Sequence, residues 1–159
     1  MRTGAQIRTI FIHCTAGYGD VNSMRRFWKS LGWRSPGYHL VVRLDGSIEV
    51  VQPFTLPTNG VKGRNANAIH ISYIGGVERT NVNKASDTRT PAQKAGIIEA
   101  IRLAINWIEQ TGGAKRNLQI MGHRDASKDQ NGDGVISAWE RIKECPSFDA
   151  IPEYRNLLQ

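Results

Sequence analysis

Three runs of apolar residues along the chain predict strands of a buried sheet. Residues 7–12 are mostly apolar and end at His13, and residues 118–122 form a second run that ends at His123. In residues 68–74 an apolar residue stands at every second position, and a glycine pair follows the segment. Strand ends that lead into loops are where α/β proteins usually place their chemistry. The pattern therefore predicts an α/β protein with a histidine at two such ends.

Two segments have helical periodicity. The first carries one apolar stripe, made of Met24, Phe27, Trp28 and Leu31. We predict a short helix there, capped by Asn22 or Ser23, with the stripe in the core. The second begins at Thr90, is followed by Pro91 and a glutamine in capping-box position, and runs to about Gln110. Its predicted buried face consists of Ile97, Ile101, Ala104 and Ile108.

The segment between these helices predicts a hairpin and then a loop. Residues 38–43 and 47–51 read as two strands joined by Asp45 and Gly46. Residues 52–67 contain several turn-forming residues and little periodicity, so we expect a surface loop.

Composition predicts one globular domain over residues 1–159, with 40% hydrophobic and 22% charged residues. The net charge of +7 suggests an anionic partner, but no known nucleic-acid-binding motif is present, so no nucleic acid is expected. No apolar run has membrane length, and residues 1–6 lack the apolar core of a secretory signal. We expect a monomer that is made in the cytoplasm and does not insert into a membrane.

His13, His123 and Cys145 are candidate ligands for a borderline-soft divalent cation. Two histidines and one cysteine would make an open zinc site, with a fourth position for water. No short zinc-finger spacing links the three, so a role as ordinary core residues stays open on residue type alone. Cys14 is predicted to be a small buried residue on the strand face opposite His13, and a reducing cytoplasm argues against a disulfide.

Four short blocks carry a family resemblance. They are residues 11–16, residues 37–39, Gly122-His123-Arg124-Asp125 and residues 143–149. With these blocks in order, the chain from about Ile7 onward resembles the zinc-dependent N-acetylmuramoyl-L-alanine amidases of the type-2 family, which share their fold with peptidoglycan recognition proteins. The resemblance implies a central mixed β-sheet flanked by helices.

The resemblance also implies an activity. It would be hydrolysis of the amide between N-acetylmuramic acid and L-alanine in peptidoglycan, with zinc held by His13, His123 and Cys145. Tyr38 would assist proton transfer or stabilise the oxyanion, although a half-buried strand aromatic is the alternative for this residue. Lys143 would stabilise the tetrahedral oxyanion, whereas on its own a lysine there is more often a surface charge.

The implied biological role is that of a phage or prophage endolysin, made in the host cytoplasm and acting on the cell wall after release. An anionic envelope would also explain the positive charge. Two alternatives stay open: a peptidoglycan recognition module that binds muropeptide without cutting it, and a cytoplasmic wall-recycling amidase. The third ligand, Cys145, favours an enzyme, since non-catalytic relatives typically lack it.

Residues near the predicted centre receive supporting roles. Arg124 and Asp125 are candidates for holding the ligands in place rather than for chemistry. Asn65 and Asn67 are candidate substrate contacts in the surface loop. The family often carries a histidine in that loop, two positions before a Lys-Gly pair, where this chain has Gly60. We expect His70 to be structural.

Residues 129–140 match the calcium loop of an EF-hand, with oxygen-bearing side chains, a glycine and a final glutamate at the required positions. The ligands would be Asp129, Asn131, Asp133, the carbonyl of Val135 and Glu140. An acidic solvated turn is the alternative reading. We predict a structural calcium ion that orders the zinc site, followed by a helix over Ser137 to Lys143.

Overall fold

The computed structural model describes residues 1–159, which form a five-stranded sheet with packed helices. The strands are β1 (Thr9–Cys14), β2 (Leu40–Val42), β3 (Ile48–Val50), β4 (Ala68–Tyr73) and β5 (Gln119–Gly122). The α-helices are α1 (Val21–Ser30), α2 (Pro91–Gln110) and α3 (Ala150–Tyr154). Single 3₁₀ turns occupy Gly4–Gln6, Lys115–Asn117, His123–Ala126, Ala138–Glu140 and Arg155–Leu158. No helix is both long and apolar enough to cross a lipid bilayer.

The sheet is mixed and is covered on both faces. Its strand order is β3-β2-β4-β1-β5, and only the pairing of β3 with β2 is antiparallel. Leu40 and Val42 of β2 pack in the core cluster that contains α2, whereas Val41 packs with Trp28 of α1. Because neighbouring strand residues point to opposite faces, α1 and α2 lie on opposite sides. The predicted α/β class with a mixed central sheet is confirmed.

Strand β1 lies at the centre of the parallel part of the sheet, and all six of its residues are buried. It pairs with β4 through His13 and Ser72, and with β5 through Ile12 and Gly122. Parallel strands present their carboxyl ends at the same edge. His13, at the end of β1, and His123, directly after β5, therefore emerge at one edge of the sheet.

Helix α2 begins and packs as predicted. The Thr90 hydroxyl accepts a hydrogen bond from the Gln93 backbone N–H, and the Gln93 amide oxygen accepts one from the Thr90 N–H. All four residues of its predicted buried face have 0% exposure. Their burial against β1, β2 and β4 makes this interface the main core.

Helix α1 differs from the prediction. Its cap is Asp20, whose carboxylate accepts a hydrogen bond from the Ser23 N–H at 2.8 Å, and not Asn22 or Ser23. The helix buries Val21 and Trp28, while Phe27 is 59% and Leu31 50% exposed. The expectation that the whole stripe is core was wrong at Phe27 and Leu31. Only part of the apolar stripe contacts the sheet, because the cluster of buried apolar residues between α1 and the sheet is small.

The helix predicted over Ser137 to Lys143 is also wrong. Only the single turn Ala138–Glu140 forms, and Arg141 is already extended. The Glu140 carboxylate folds back and accepts hydrogen bonds from the N–H groups of Gln130 and Ser137, both at 2.7 Å. These contacts close the 129–140 loop on itself, and the chain leaves it in an extended conformation.

Candidate metal centre

The structure gathers His13, His123 and Cys145 at the carboxyl edge of the parallel strands. One ligand atom from each side chain lies within 4.8 Å of the other two. His13 is 1% exposed, while His123 and Cys145 are partly exposed. Three side chains from separate parts of the sequence thus form one compact set of nitrogen and sulfur donors.

The geometry of this set fits zinc. Cys145 Sγ lies 3.8 Å from His13 Nδ1, and the two imidazole rings meet edge to face with centroids 5.0 Å apart. A tetrahedral zinc ion with ordinary Zn–S and Zn–N bonds separates sulfur and nitrogen by about 3.5 Å. Two imidazoles and a thiolate are donors that zinc prefers. The residues therefore fit such an ion with small side-chain adjustments.

Burial keeps both histidines in the neutral form that binds a metal. It lowers the pKa of His13 well below its usual value, with a further contribution from His70. Burial, and then the positive charge of Lys143, lower the pKa of His123 to about 4. Burial raises the pKa of the Cys145 thiol well above its usual value. Binding of a cation by this set would therefore require release of the thiol proton.

Backbone contacts fix the loop that carries Cys145. The Arg124 N–H donates to the Cys145 carbonyl at 2.8 Å, and the Cys14 N–H donates to Cys145 Sγ at 3.2 Å. A Cβ atom on Gly122 would lie 2.5 Å from Cδ of Pro146, so only glycine allows this approach. The cysteine loop is therefore packed directly on the end of β5.

Arg124 and Asp125 take the supporting positions expected of them. The Asp125 carboxylate accepts a hydrogen bond from the Gly122 N–H at 2.8 Å and holds the turn that carries His123. The buried Arg124 guanidinium pairs with Asp149, and Glu144 lies 3.8 Å away. These contacts connect the turn after β5 to the residues on either side of Cys145.

Tyr38 lies against His13, and Lys143 lines a groove with His123. The Tyr38 ring centroid is 5.1 Å from that of His13, and the Tyr38 hydroxyl donates to the Cys14 carbonyl at 3.4 Å. Burial, followed by the nearby cysteines, raises the pKa of Tyr38 above its usual value, so its hydroxyl stays a proton donor. The exposed Lys143 lines a groove together with His123.

This groove has a volume of ≈ 570 Å³. Its lining includes residues 59–63 and Asn65 from the predicted surface loop, and His123 and Lys143 from the region of the donor set. Asn65 also accepts a hydrogen bond from the Val61 N–H at 2.8 Å, which shapes the loop. The structure does not bring Asn67 to the groove: its side chain donates to the Gln6 carbonyl, near the start of β1.

The 129–140 loop is held by hydrogen bonds between its own residues. Asp129 accepts hydrogen bonds from the N–H groups of Gly132 and Gly134, both at 2.8 Å, and Asp133 accepts one from the Val135 N–H. Asn131 donates to Asp133 at 3.0 Å. The loop is thus ordered by its own side-chain contacts to backbone.

The sequence reasoning missed one contact of the centre. His70 on β4 lies against His13, with His13 Nε2 and His70 Nδ1 separated by 2.9 Å. Its alternating position showed that it is a buried strand residue, but not that β4 is the neighbour of β1. Cys14 is buried in the cluster with α2, on the sheet face opposite His13, as predicted.

The fold is one that amidases and peptidoglycan recognition proteins share. The structure of the N-acetylmuramoyl-L-alanine amidase LysC from Clostridium intestinale URNW is similar with a TM-score of 0.68 and 23% identity, covering 97% of this chain and 87% of that one. Drosophila PGRP-LB is similar with a TM-score of 0.68 and 15% identity, covering 97% and 82%.

Sequence similarity defines the family. The profile of the N-acetylmuramoyl-L-alanine amidase family matches residues 3–146, and the chain belongs to that family. The endolysin of Klebsiella phage KP32 is 30% identical over 145 residues, covering 88% of this chain and 80% of that protein. The endolysin of Escherichia phage T7 is 27% identical over 145 residues, with the same two coverages. The resemblance seen in the sequence is confirmed.

Proposed function

We propose that the protein is a zinc-dependent N-acetylmuramoyl-L-alanine amidase that acts as a phage or prophage endolysin. It would hydrolyse the amide between the lactyl group of N-acetylmuramic acid and L-alanine. The observation that carries the proposal is the set of His13, His123 and Cys145, whose ligand atoms lie within 4.8 Å of one another beside a groove. Membership of the amidase family and the similarity to phage endolysins support it.

The proposed mechanism assigns a role to each group around the centre. Zinc, when bound by the three side chains, supplies an open coordination position, polarisation of the amide carbonyl and a water of lowered pKa. Each neutral imidazole of His13 and His123 keeps one unprotonated ring nitrogen that can bind the metal. The Lys143 ammonium, beside His123 in the groove, stabilises negative charge on the carbonyl oxygen. Tyr38 keeps its proton and donates a hydrogen bond near His13.

The groove is proposed to hold the muropeptide. Asn65 lines it with a side chain that can hydrogen-bond amides or sugar hydroxyls. The surplus of positive charge over the chain, +7, favours approach to an anionic wall. A recognition module is the competing function, and Cys145 Sγ at 3.8 Å from His13 Nδ1 favours the enzyme because it completes the ligand set.

The test measures the bond that is cut. Purified protein is incubated with peptidoglycan, and new L-alanine amino termini are quantified by amine labelling. Release is expected with zinc, lost after chelation, restored by zinc, and absent in Cys145→Ser. Ser30→Ala, at an exposed position on α1, is the control and is expected to remain active. Muropeptide binding without new amino termini would refute the enzyme and identify a recognition module.

We also propose that the 129–140 loop binds calcium through Asp129, Asn131, Asp133, the Val135 carbonyl and Glu140. The support is the match to the EF-hand loop and the hydrogen bond from the Gly134 N–H to Asp129, which closes the turn at the required glycine. Calcium titration by calorimetry tests this. Heat of binding should be lost in Glu140→Gln and kept in Glu99→Gln on α2. A silent titration of the unaltered protein would contradict the proposal.

A further inference from the structure

His70 lies behind the metal centre, on β4, and its side chain is completely buried. Its backbone pairs with Phe11 of β1, and its ring stacks on the Phe11 ring with centroids 5.5 Å apart and planes 5° apart. The His70 N–H donates to His39 Nδ1 at 3.0 Å. Backbone pairing and ring packing therefore fix the His70 imidazole in one orientation.

In that orientation His70 contacts one side of His13. His13 Nε2 and His70 Nδ1 are 2.9 Å apart, while the other ring nitrogen of His13, Nδ1, lies 3.8 Å from Cys145 Sγ. A nitrogen that binds a metal carries no proton, so a neutral His13 with Nδ1 at the metal has its proton on Nε2. It then donates that proton to His70 Nδ1.

The same arrangement leaves His70 Nε2 as an N–H without a partner. This atom is buried and has no hydrogen bond. An unpaired buried N–H is unfavourable, and an apolar side chain at position 70 would avoid it. Packing alone therefore does not account for an imidazole here, whereas the contact with His13 does.

The close approach of Gly60 to the His70 ring is independent evidence that the groove loop accommodates this ring. A Cβ atom at position 60 would lie 2.6 Å from Cε1 of His70 and closer still to its Nδ1 and Cγ. The backbone of Gly60 has no positive φ, so space rather than conformation requires glycine. The ring of His70 thus occupies the volume that a side chain from the groove loop would otherwise fill.

We infer that His70 is a positioning residue for the metal centre. Its Nδ1 accepts the Nε2 proton of His13 and so holds His13 in the tautomer and orientation that direct Nδ1 toward Cys145. Glycine at position 60 leaves the space that the His70 ring occupies. The inference rests on the proposed function, because it takes His13 as a zinc ligand, and its test therefore measures metal binding and tautomers separately from activity.

The first experiment compares zinc affinities by competition with a chromogenic chelator. His70→Leu removes the acceptor and is expected to weaken zinc binding by about 10–100-fold, the usual effect of losing a partner of a metal-bound histidine. His70→Asn places an amide oxygen near the position of Nδ1 and is expected to recover most of the affinity. Equal affinities for the unaltered protein and His70→Leu would overturn the inference and leave the zinc amidase standing. An unaltered protein that binds no zinc would instead refute the proposed function.

The second experiment needs no variant. Nitrogen NMR of the imidazoles in the unaltered zinc-loaded protein should show His13 protonated at Nε2 and His70 protonated at Nε2. Protonation of His70 at Nδ1 would reverse the hydrogen bond and overturn the inference, even if His70→Leu failed to fold.

Discussion

The guanidinium of Arg89 lies over the ring of Phe148, with Cζ 3.3 Å from the ring centroid. Arg89 is only 8% exposed and also pairs with Asp87 and Glu153. Phe148 follows Cys145 by three positions, and Glu153 belongs to α3. One buried cation therefore joins the segment before α2 to both the cysteine loop and the last helix.

Replacing Arg89 with methionine should destabilise the protein. The change leaves Asp87 and Glu153 without their cation and removes the contact with Phe148. We expect a loss of about 2–3 kcal/mol in the free energy of unfolding, less than for a fully buried pair, because both carboxylates are partly exposed. Urea unfolding measures it. Arg102→Met, on the exposed side of α2, is the matched control, and equal midpoints for the two variants would contradict the prediction.

The same cluster predicts a pH dependence of stability. Hydrogen bonding from Arg89 lowers the pKa of Asp87. For Glu153, burial raises the pKa but hydrogen bonds from Arg89 outweigh it, and the net pKa is lowered. Carboxyl groups whose folded pKa is below the unfolded value, about 3.9 for Asp and 4.3 for Glu, stabilise the fold above those values. That contribution is lost as the pH falls through the folded pKa values.

The stability difference between the unaltered protein and Arg89→Met should therefore shrink between neutral pH and about pH 3. The change should be small, under about 1 kcal/mol for each carboxylate, because both are partly exposed. Urea unfolding of both proteins across this range tests the sign. A difference that grows in acid would show that the carboxylates are not stabilised by Arg89.

Gly60 and His70 should be energetically coupled. Gly60→Ala in the unaltered protein forces a methyl group into the His70 ring and is expected to cost about 1–3 kcal/mol. In a His70→Ala background the space is vacant, so the same change should cost less, with a coupling of at least about 0.5 kcal/mol. Gly17→Ala is the control, since a Cβ at Gly17 meets nothing within 4 Å. Additive effects at positions 60 and 70 would contradict the packing described here.

Lys143 should act on turnover and not on metal binding. Its exposed ammonium lines the groove beside His123, where it can meet the developing oxyanion. Lys143→Met is expected to lower kcat by about 100–1,000-fold, as for loss of an oxyanion-stabilising donor, while zinc affinity stays within a few-fold. Lys94→Met, at an exposed position on α2, should leave kcat unchanged. Loss of zinc with unchanged turnover per bound metal would refute this role.

Neighbouring aromatic residues of α1 should respond very differently to truncation. Trp28 is 7% exposed and packs edge to face on Tyr38 with ring centroids 5.6 Å apart, whereas Phe27 is 59% exposed. Trp28→Ala should cost about 3–5 kcal/mol through the cavity it leaves. Phe27→Ala should change stability by no more than about 0.5 kcal/mol. Thermal and urea unfolding of the two variants distinguish them, and similar losses would place Phe27 in the core.

Local signals in the sequence were sufficient for much of the fold. The capping box of Thr90 and Gln93 defined the start of α2, because those hydrogen bonds involve only near neighbours. The apolar runs before His13 and His123 gave β1 and β5. The stripe on α1 was less reliable, because periodicity shows which residues share a face but not how wide a surface covers that face.

Contacts that depend on strand order were not visible in the sequence. Nothing local places β4 beside β1, so the meeting of His70 with His13 could not be foreseen. The three candidate ligands came from recognisable blocks of sequence, and the structure brings their side chains together. Asn67 was chosen only for lying in the same loop as Asn65, and the structure directs its side chain to Gln6 instead.

The separation of the ligands along the chain bears on how the centre forms during folding. His13 and Cys145 are 132 residues apart, and the contact between them closes a loop that contains nearly all of the sheet. Closing so long a loop has a high entropic cost until the intervening strands have paired. We therefore expect the three donor side chains to meet late in folding. The proposed metal affinity would consequently report completion of the fold as well as the chemistry of three side chains.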